Sequence, residues 1–167
     1  MLDNVGQPIK GSECIVPLNL PPVKPKLKHD MRFGLMVHDP LRRKFVVLTP
    51  EEWVRQNFVA YMQFSLGYPS GLIANEMAIK LNGMSRRCDT VVFDRQAKPL
   101  MIVEYKAPSV KITEAVFNQI VRYNMVLKAR YLVVSNGLQH YCCHIDNSAG
   151  KINFLPAVPS YDEISEQ

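Results

Sequence analysis

Between Leu72 and Lys106 the hydrophobic residues recur with a period of two, interrupted only at Asn82-Gly83 and at Arg95-Gln96-Ala97-Lys98. The pattern predicts three antiparallel strands over 72–81, 85–94 and 100–106, joined by tight turns. If the second turn pairs Asp94 with Pro99, residues whose numbers sum to 193 stand opposite one another, and Asp89 faces Glu104. Opposed Cβ atoms in such a ladder are about 4.5–5.5 Å apart, and like charges placed there repel. Lys106 lies two residues beyond Glu104 and shares its face. Two carboxylates and an ammonium therefore converge among Val91-Val92-Phe93 and Leu100-Met101-Ile102-Val103. Acidic side chains and lysines are rarely buried without partners. A hard divalent cation would supply the missing positive charge, because Mg²⁺ commonly takes one or two carboxylates and keeps positions open for phosphate oxygens. A structural Asp–Lys–Glu ion pair is the alternative from spacing alone.

The flanking elements follow from local signals. Phe33–His38 and Lys44–Leu48 surround Asp39-Pro40-Leu41-Arg42-Arg43 and read as a hairpin. Thr49-Pro50-Glu51-Glu52 is a capping box with proline at the first helical position. It starts a helix from Pro50 to about Leu66 with Trp53, Val54, Phe58, Tyr61 and Met62 along one side. Thr113 caps a second helix that closes near Lys128, and strands follow over 131–134 and 138–145. The expected fold is α/β: a mixed central sheet flanked by helices, with core order helix, three-strand meander, helix, strand. Residues 1–32 read as an extended Pro/Lys-rich arm, 33–160 as the working domain, and 161–167 as an acidic tail that frays.

The same residues resemble a known family. Asp89, fourteen residues, then Glu104-Tyr105-Lys106 matches the PD-(D/E)xK nuclease signature, and the element order matches its three-layer, restriction-endonuclease-like sandwich. Glu51-Glu52-Trp53-Val54-Arg55-Gln56, Gly67-Tyr68-Pro69, Arg87-Cys88-Asp89, Glu104-Tyr105-Lys106-Ala107-Pro108, Gln119-Ile120-Val121-Arg122-Tyr123-Asn124 and Ser135-Asn136-Gly137 are similar to the N-terminal nuclease domain of type I restriction enzyme R subunits. The resemblance implies that Asp89, Glu104 and the Tyr105 backbone carbonyl hold Mg²⁺ or Mn²⁺, and that Lys106 is the catalytic lysine. Glu52 takes the place of a further acidic ligand, a position the capping box explains equally well. Gln119 and Tyr123 match a Q-x-x-x-Y element facing the site or DNA, with a half-buried helix contact as the alternative. Arg87-Cys88 replaces the proline that names the superfamily. These residues contain no G-x-x-x-x-G-K-[ST] loop, so the resemblance places the ATP-driven motor outside them.

Charge and cysteine usage narrow the class. With 20 Lys+Arg against 15 Asp+Glu the chain is mildly basic, which suits a phosphate-rich partner without requiring one. Residues 1–44 hold eight basic and four acidic side chains. The arm over 24–44, Arg86 and Arg87, with Arg122 and Lys111, are the candidate DNA contacts. Four cysteines without framework spacing, no apolar span and no secretory signal predict a reduced, cytoplasmic protein with no membrane partner. Cys88 and Trp53 read as core. His140, Cys142 and His144 share a strand face, but zinc sites usually gather ligands from separated segments, so a plain strand is expected.

The functional expectation is a divalent-metal-dependent endonuclease domain acting on double-stranded DNA. It would work alone, with a separate motor or restriction–modification subunit, or as a homodimer. Its rivals are a catalytically silent module that binds DNA or such a partner, and a metal-dependent enzyme acting on RNA.

Overall fold

A computed structural model describes residues 1–2, 6–81, 83–146 and 148–165, with the side chains of Leu81, Gln119, Arg122, Tyr123 and Met125 outside the description. A small antiparallel sheet comes first: β1 (Leu27–Asp30), β2 (Gly34–Asp39) and β3 (Lys44–Val47). Helix α1 (Pro50–Ser65) follows, with the Thr49 hydroxyl accepting the Glu52 N–H at 3.1 Å, as the capping box requires. The large sheet is built from β4 (Ile73–Leu81), β5 (Met84–Phe93), β6 (Pro99–Tyr105), β7 (Tyr131–Ser135), β8 (His140–Asp146) and β9 (Lys151–Leu155), in that spatial order. Among the described residues only β6 and β7 run parallel, and α2 (Glu114–Leu127) makes the crossover between them. A last helix, α3, covers Tyr161–Ser165.

The centre of the large sheet is buried on both faces. Val54, Phe58 and Met62 of α1 pack on Val92, Met101, Val103, Tyr105, Tyr131 and Val133. On the other face Ile120 of α2 meets Ile102, Leu132, Val134 and Cys143. The alternation along β6, with Met101, Val103 and Tyr105 to one side and Ile102 to the other, is the period-two signal of the sequence, and the result is the expected three-layer α/β sandwich. Among the described residues no helix is long and apolar enough to cross a membrane.

One expectation needs correction, the fraying tail, and the extended arm gains specific contacts. Parts of the N-terminal arm dock on the rest of the domain. The Trp53 indole donates to the Val16 carbonyl at 2.9 Å, Asn19 N–H bonds Gly137, and β1 adds an edge strand to β2. Gly34 (φ +81°) sits so close to the Lys10 carbonyl that any Cβ there would overlap it. The tail over 161–165 does not fray. Its two apolar residues, Tyr161 and Ile164, are spaced to face inward from one helical turn and are nearly inaccessible in the α1-side core, where Tyr161 meets the Tyr68 ring at 5.5 Å. Glu166 and Gln167 lie outside the described residues.

Tyr161→Ala is therefore expected to cost about 3 kcal/mol, the usual loss for emptying a buried aromatic site. Urea unfolding should show a lower midpoint with unchanged slope; a midpoint equal to that of the parent chain would mean that α3 contributes nothing.

Candidate active site

The register that brings the carboxylates together arises differently from the expectation. Asp94 does not pair with Pro99. It belongs to the turn, its Oδ1 accepting the N–H groups of Gln96 (2.9 Å) and Lys98 (2.8 Å), and Phe93 pairs with Pro99 instead. A register shift beside Phe93 then restores the sum of 193 at Val92↔Met101, Val91↔Ile102 and Thr90↔Val103. Regular pairing stops there, so Asp89 and Glu104 come one step beyond the last rung. Asp89 closes the gap with its side chain: Oδ2 accepts the Tyr105 N–H at 2.8 Å.

The neighbouring ladder is interrupted at the same level. Asn75 pairs with Thr90 and Met77 with Cys88, while Glu76, between them, takes a left-handed conformation with φ +58°. A non-glycine residue held there is uncommon and costs of order 1–3 kcal/mol, and such strain concentrates at functional sites. Three acidic residues on three adjacent strands, Glu76, Asp89 and Glu104, thus stand where the sheet opens.

Arg55 of α1 holds this end of the sheet together. It is 5% exposed, and its guanidinium reaches Glu52 (2.7 Å), Glu76 (2.6 Å) and Asp89 (2.8 Å), with its carbon 5.8 Å from the centre of the Tyr105 ring. Burial opposes its charge, but Glu52, Asp89 and Glu76 hold its pKa above the ordinary arginine value. Glu52 is fully engaged: besides Arg55 it accepts Arg42 and Gln56, each at 2.8 Å. Glu52 thus meets the site through Arg55, which also holds Asp89. Arg42, from the turn between β2 and β3, also bonds buried Asp39, which accepts Asn75 at 3.0 Å; Thr90 donates to Asn75 at 2.7 Å, and Tyr105 donates to Thr90 at 3.1 Å.

Glu104 and Lys106 form the other half, with Nζ 3.0 Å from Oε1. Burial and the nearby Asp89 push the Glu104 carboxyl up to about 7, with Lys106 and Arg55 only partly opposing this. Asp89 is raised too, by burial, against the pull of Arg55. The donor set is hard oxygen throughout: Asp89, Glu104 and the backbone carbonyl of Tyr105. Among the described residues no three His, Cys, Asp or Glu side chains gather closely enough to hold a metal by themselves. A hard cation bound there would draw its remaining ligands from water or phosphate. Cys88, beside Asp89, is buried and its thiol is pushed up to about 12 by that burial, so it is packing rather than nucleophile. His140 bonds Ser135 and His144 stacks on Tyr131, while Cys142 faces the core.

Arg86 and Arg87 are exposed on β5, Arg87 3.3 Å from Glu76, and Lys111 is exposed in the loop before α2. The side chains of Gln119, Arg122 and Tyr123 lie outside the described residues. Sequence reasoning gave no role to Arg55, Glu76 or Asp39, and placed Arg42 only within the phosphate-contacting arm. Arg55 stood inside a quoted motif, and a buried arginine on the apolar side of a helix was its available signal.

Two outcomes follow. Arg55→Met leaves three carboxylates without their shared cation and should lower stability by about 3–5 kcal/mol, with Arg55→Lys between it and the parent chain in the same unfolding series. For Glu104, a folded-state pKa above the ordinary 4.5 means that its contribution is intact below pH 4.5 and is lost as pH rises through about 7. In EDTA, Glu104→Gln should therefore gain several degrees in Tm over the parent chain at pH 8, with the gain disappearing near pH 5; a difference that stays flat between those values would contradict the raised carboxyl.

Comparison with known proteins gives the family and the fold. The family described as type I restriction enzyme R protein N terminus matches residues 50–159. The fold is similar to that of a solved fragment of a putative HsdR subunit of a type I restriction enzyme from Vibrio vulnificus YJ016, with a TM-score of 0.52 and 19% identity over 70% of this chain. The chain spans 24% of that fragment's length. No curated protein sequence matches significantly. With the matched region covering α1, the large sheet and α2, the chain belongs to the family of type I restriction enzyme R protein N termini.

Proposed function

We propose that this domain is a divalent-metal-dependent endonuclease that hydrolyses phosphodiester bonds of duplex DNA. The observation that carries the reading is the convergence of Asp89 and Glu104 beyond the last rung of the β5–β6 ladder, with Lys106 3.0 Å from Glu104. Asp89, Glu104 and the Tyr105 carbonyl would hold Mg²⁺ or Mn²⁺, which supplies charge stabilisation at the phosphoryl oxygens and an acidified water. Asp89 is fixed for that task by the Tyr105 N–H and by Arg55. Glu104, whose carboxyl is pushed up to about 7, becomes a stronger ligand as it ionises, and Lys106 presents an ammonium to the charge that builds on the phosphate. Glu52 acts by positioning Arg55. Membership of a restriction enzyme family supports the nucleolytic reading, and a separate motor or restriction–modification subunit, or a second copy, belongs to the same proposal.

One observation favours a second reading. Arg55 already neutralises Asp89, as a catalytically silent module that binds DNA or a restriction partner would need. Nicking of supercoiled plasmid in Mg²⁺ or Mn²⁺ decides between them. The active reading expects Asp89→Asn and Lys106→Ala to lose about 10²–10³-fold and EDTA to abolish cleavage. Absence of nicking by the parent chain, together with calorimetry showing no Mg²⁺ or Mn²⁺ binding that depends on Asp89 and Glu104, gives the silent module.

A further inference from the structure

The small sheet has two unlike faces. Its inner face, Leu35 and Val37 with Leu27 and Val46, packs on Trp53, Cys14 and Leu48. Its outer face carries Lys28, Met36 and Val47 in one row, and His38 opposite Phe45 in the next. The His38 N–H bonds the Lys26 carbonyl, which brings Lys26 into that second row. The Lys28 and Lys26 ammoniums lie 4.6 and 6.0 Å from the centre of the Phe45 ring, and the His38 ring is 5.2 Å from it. None of the salt bridges among the described residues uses Lys24, Lys26 or Lys28. The acids of this stretch are otherwise occupied: Asp39 is buried, and Asp30, though beside Lys28, takes the N–H groups of Arg32 and Phe33 in its own turn.

A groove of about 440 Å³ borders this face, lined by Lys24, Lys26 and His38 on one side and by Gln56, Val59 and Phe64 of α1 on the other; the Gln56 side chain donates to Glu52. The β2–β3 turn carries exposed Arg43 and, next to it, Arg42 bonded to Glu52. Lys26 and Lys28 are two residues apart, about 7 Å along an extended chain, comparable to one phosphate step along a nucleic-acid strand. Lysine is depleted from the centres of protein–protein interfaces, whereas DNA interfaces are polar and strongly positive.

We infer that the outer face of the β1–β3 sheet docks the phosphate backbone of duplex DNA; naming DNA as the polyanion rests on the nuclease reading. The contacts are to phosphate, so binding is insensitive to sequence and falls steeply with salt.

The test is anisotropy of a short labelled duplex with the full chain in EDTA, from about 50 to 200 mM salt. The expected result is that Lys26→Glu with Lys28→Glu weakens binding about tenfold or more and flattens the salt slope by about 2. Lys26→Gln with Lys28→Gln should act in the same direction with the fold intact by circular dichroism. Lys98→Glu with Lys151→Glu, an equal charge change at two exposed residues on other elements, should stay within about twofold. The surface is overturned if the sheet variants bind like the parent chain, if the control pair weakens binding as much, if single strands of the same length bind more tightly, or if the parent chain does not bind duplex at all. Plasmid nicking separates the two proposals. A parent chain that binds through the sheet but never nicks removes the nuclease reading and keeps the surface; sheet variants that bind and nick like the parent chain do the reverse.

Discussion

A single buried guanidinium ties the helical layer to the sheet at the point where the β5–β6 ladder stops pairing. Arg55 reaches Glu52 on its own helix, Glu76 at a left-handed kink of β4, and Asp89 at the end of the β5–β6 ladder. Without it, three carboxylates would crowd one partly dry end of the domain, and each unpaired buried charge costs several kcal/mol. The planar fork of arginine makes this arrangement feasible, since one side chain can serve carboxylates in several directions and keeps its charge when buried. Its Nε is buried without a hydrogen-bond partner among the described residues, so the carboxylates are what hold the group. The strained Glu76 conformation is tolerated for the same reason: the ion pair with Arg55 rewards the turn that the backbone disfavours.

How far the sequence could be read depended on whether a feature was local. Helix α1 was legible because a capping box is a four-residue signal, and β5 and β6 because alternation needs only one strand at a time. The Asp89–Glu104 juxtaposition was reached from a hairpin sum that is right for the ladder and off by one at the turn. Asp94 spends its carboxylate on turn N–H groups, and the shift beside Phe93 absorbs the difference. What escaped were interactions between distant segments. Arg42 with Glu52, Asp39 with Asn75, and Arg55 with Asp89 join residues 10, 36 and 34 positions apart, with no periodicity to announce them. Proline richness predicts an extended arm, and it carries no information about docking; Val16 and Asn19 use backbone groups to dock.

The family match begins at residue 50, yet the site does not. Arg42 lies outside the matched region and bonds Glu52 and Asp39, so the small sheet is part of how Arg55 is held and, through Asn75 and Thr90, of how Tyr105 is held. Cutting the chain at the family boundary would leave Glu52 with one cation fewer and expose the Trp53 face that Cys14, Leu35 and Val37 cover.

The electrostatics of the site follow from dividing one task between two cations. The protein places its own guanidinium on the α1 side of Asp89 and an ammonium beside Glu104, so each carboxylate has a partner, yet burial and mutual repulsion still push Glu104 up to about 7. The arrangement holds because the two cations come from different elements: Arg55 reaches Asp89 from α1, and Lys106 reaches Glu104 from just beyond the end of β6, so two largely buried acids are kept side by side without a shared partner.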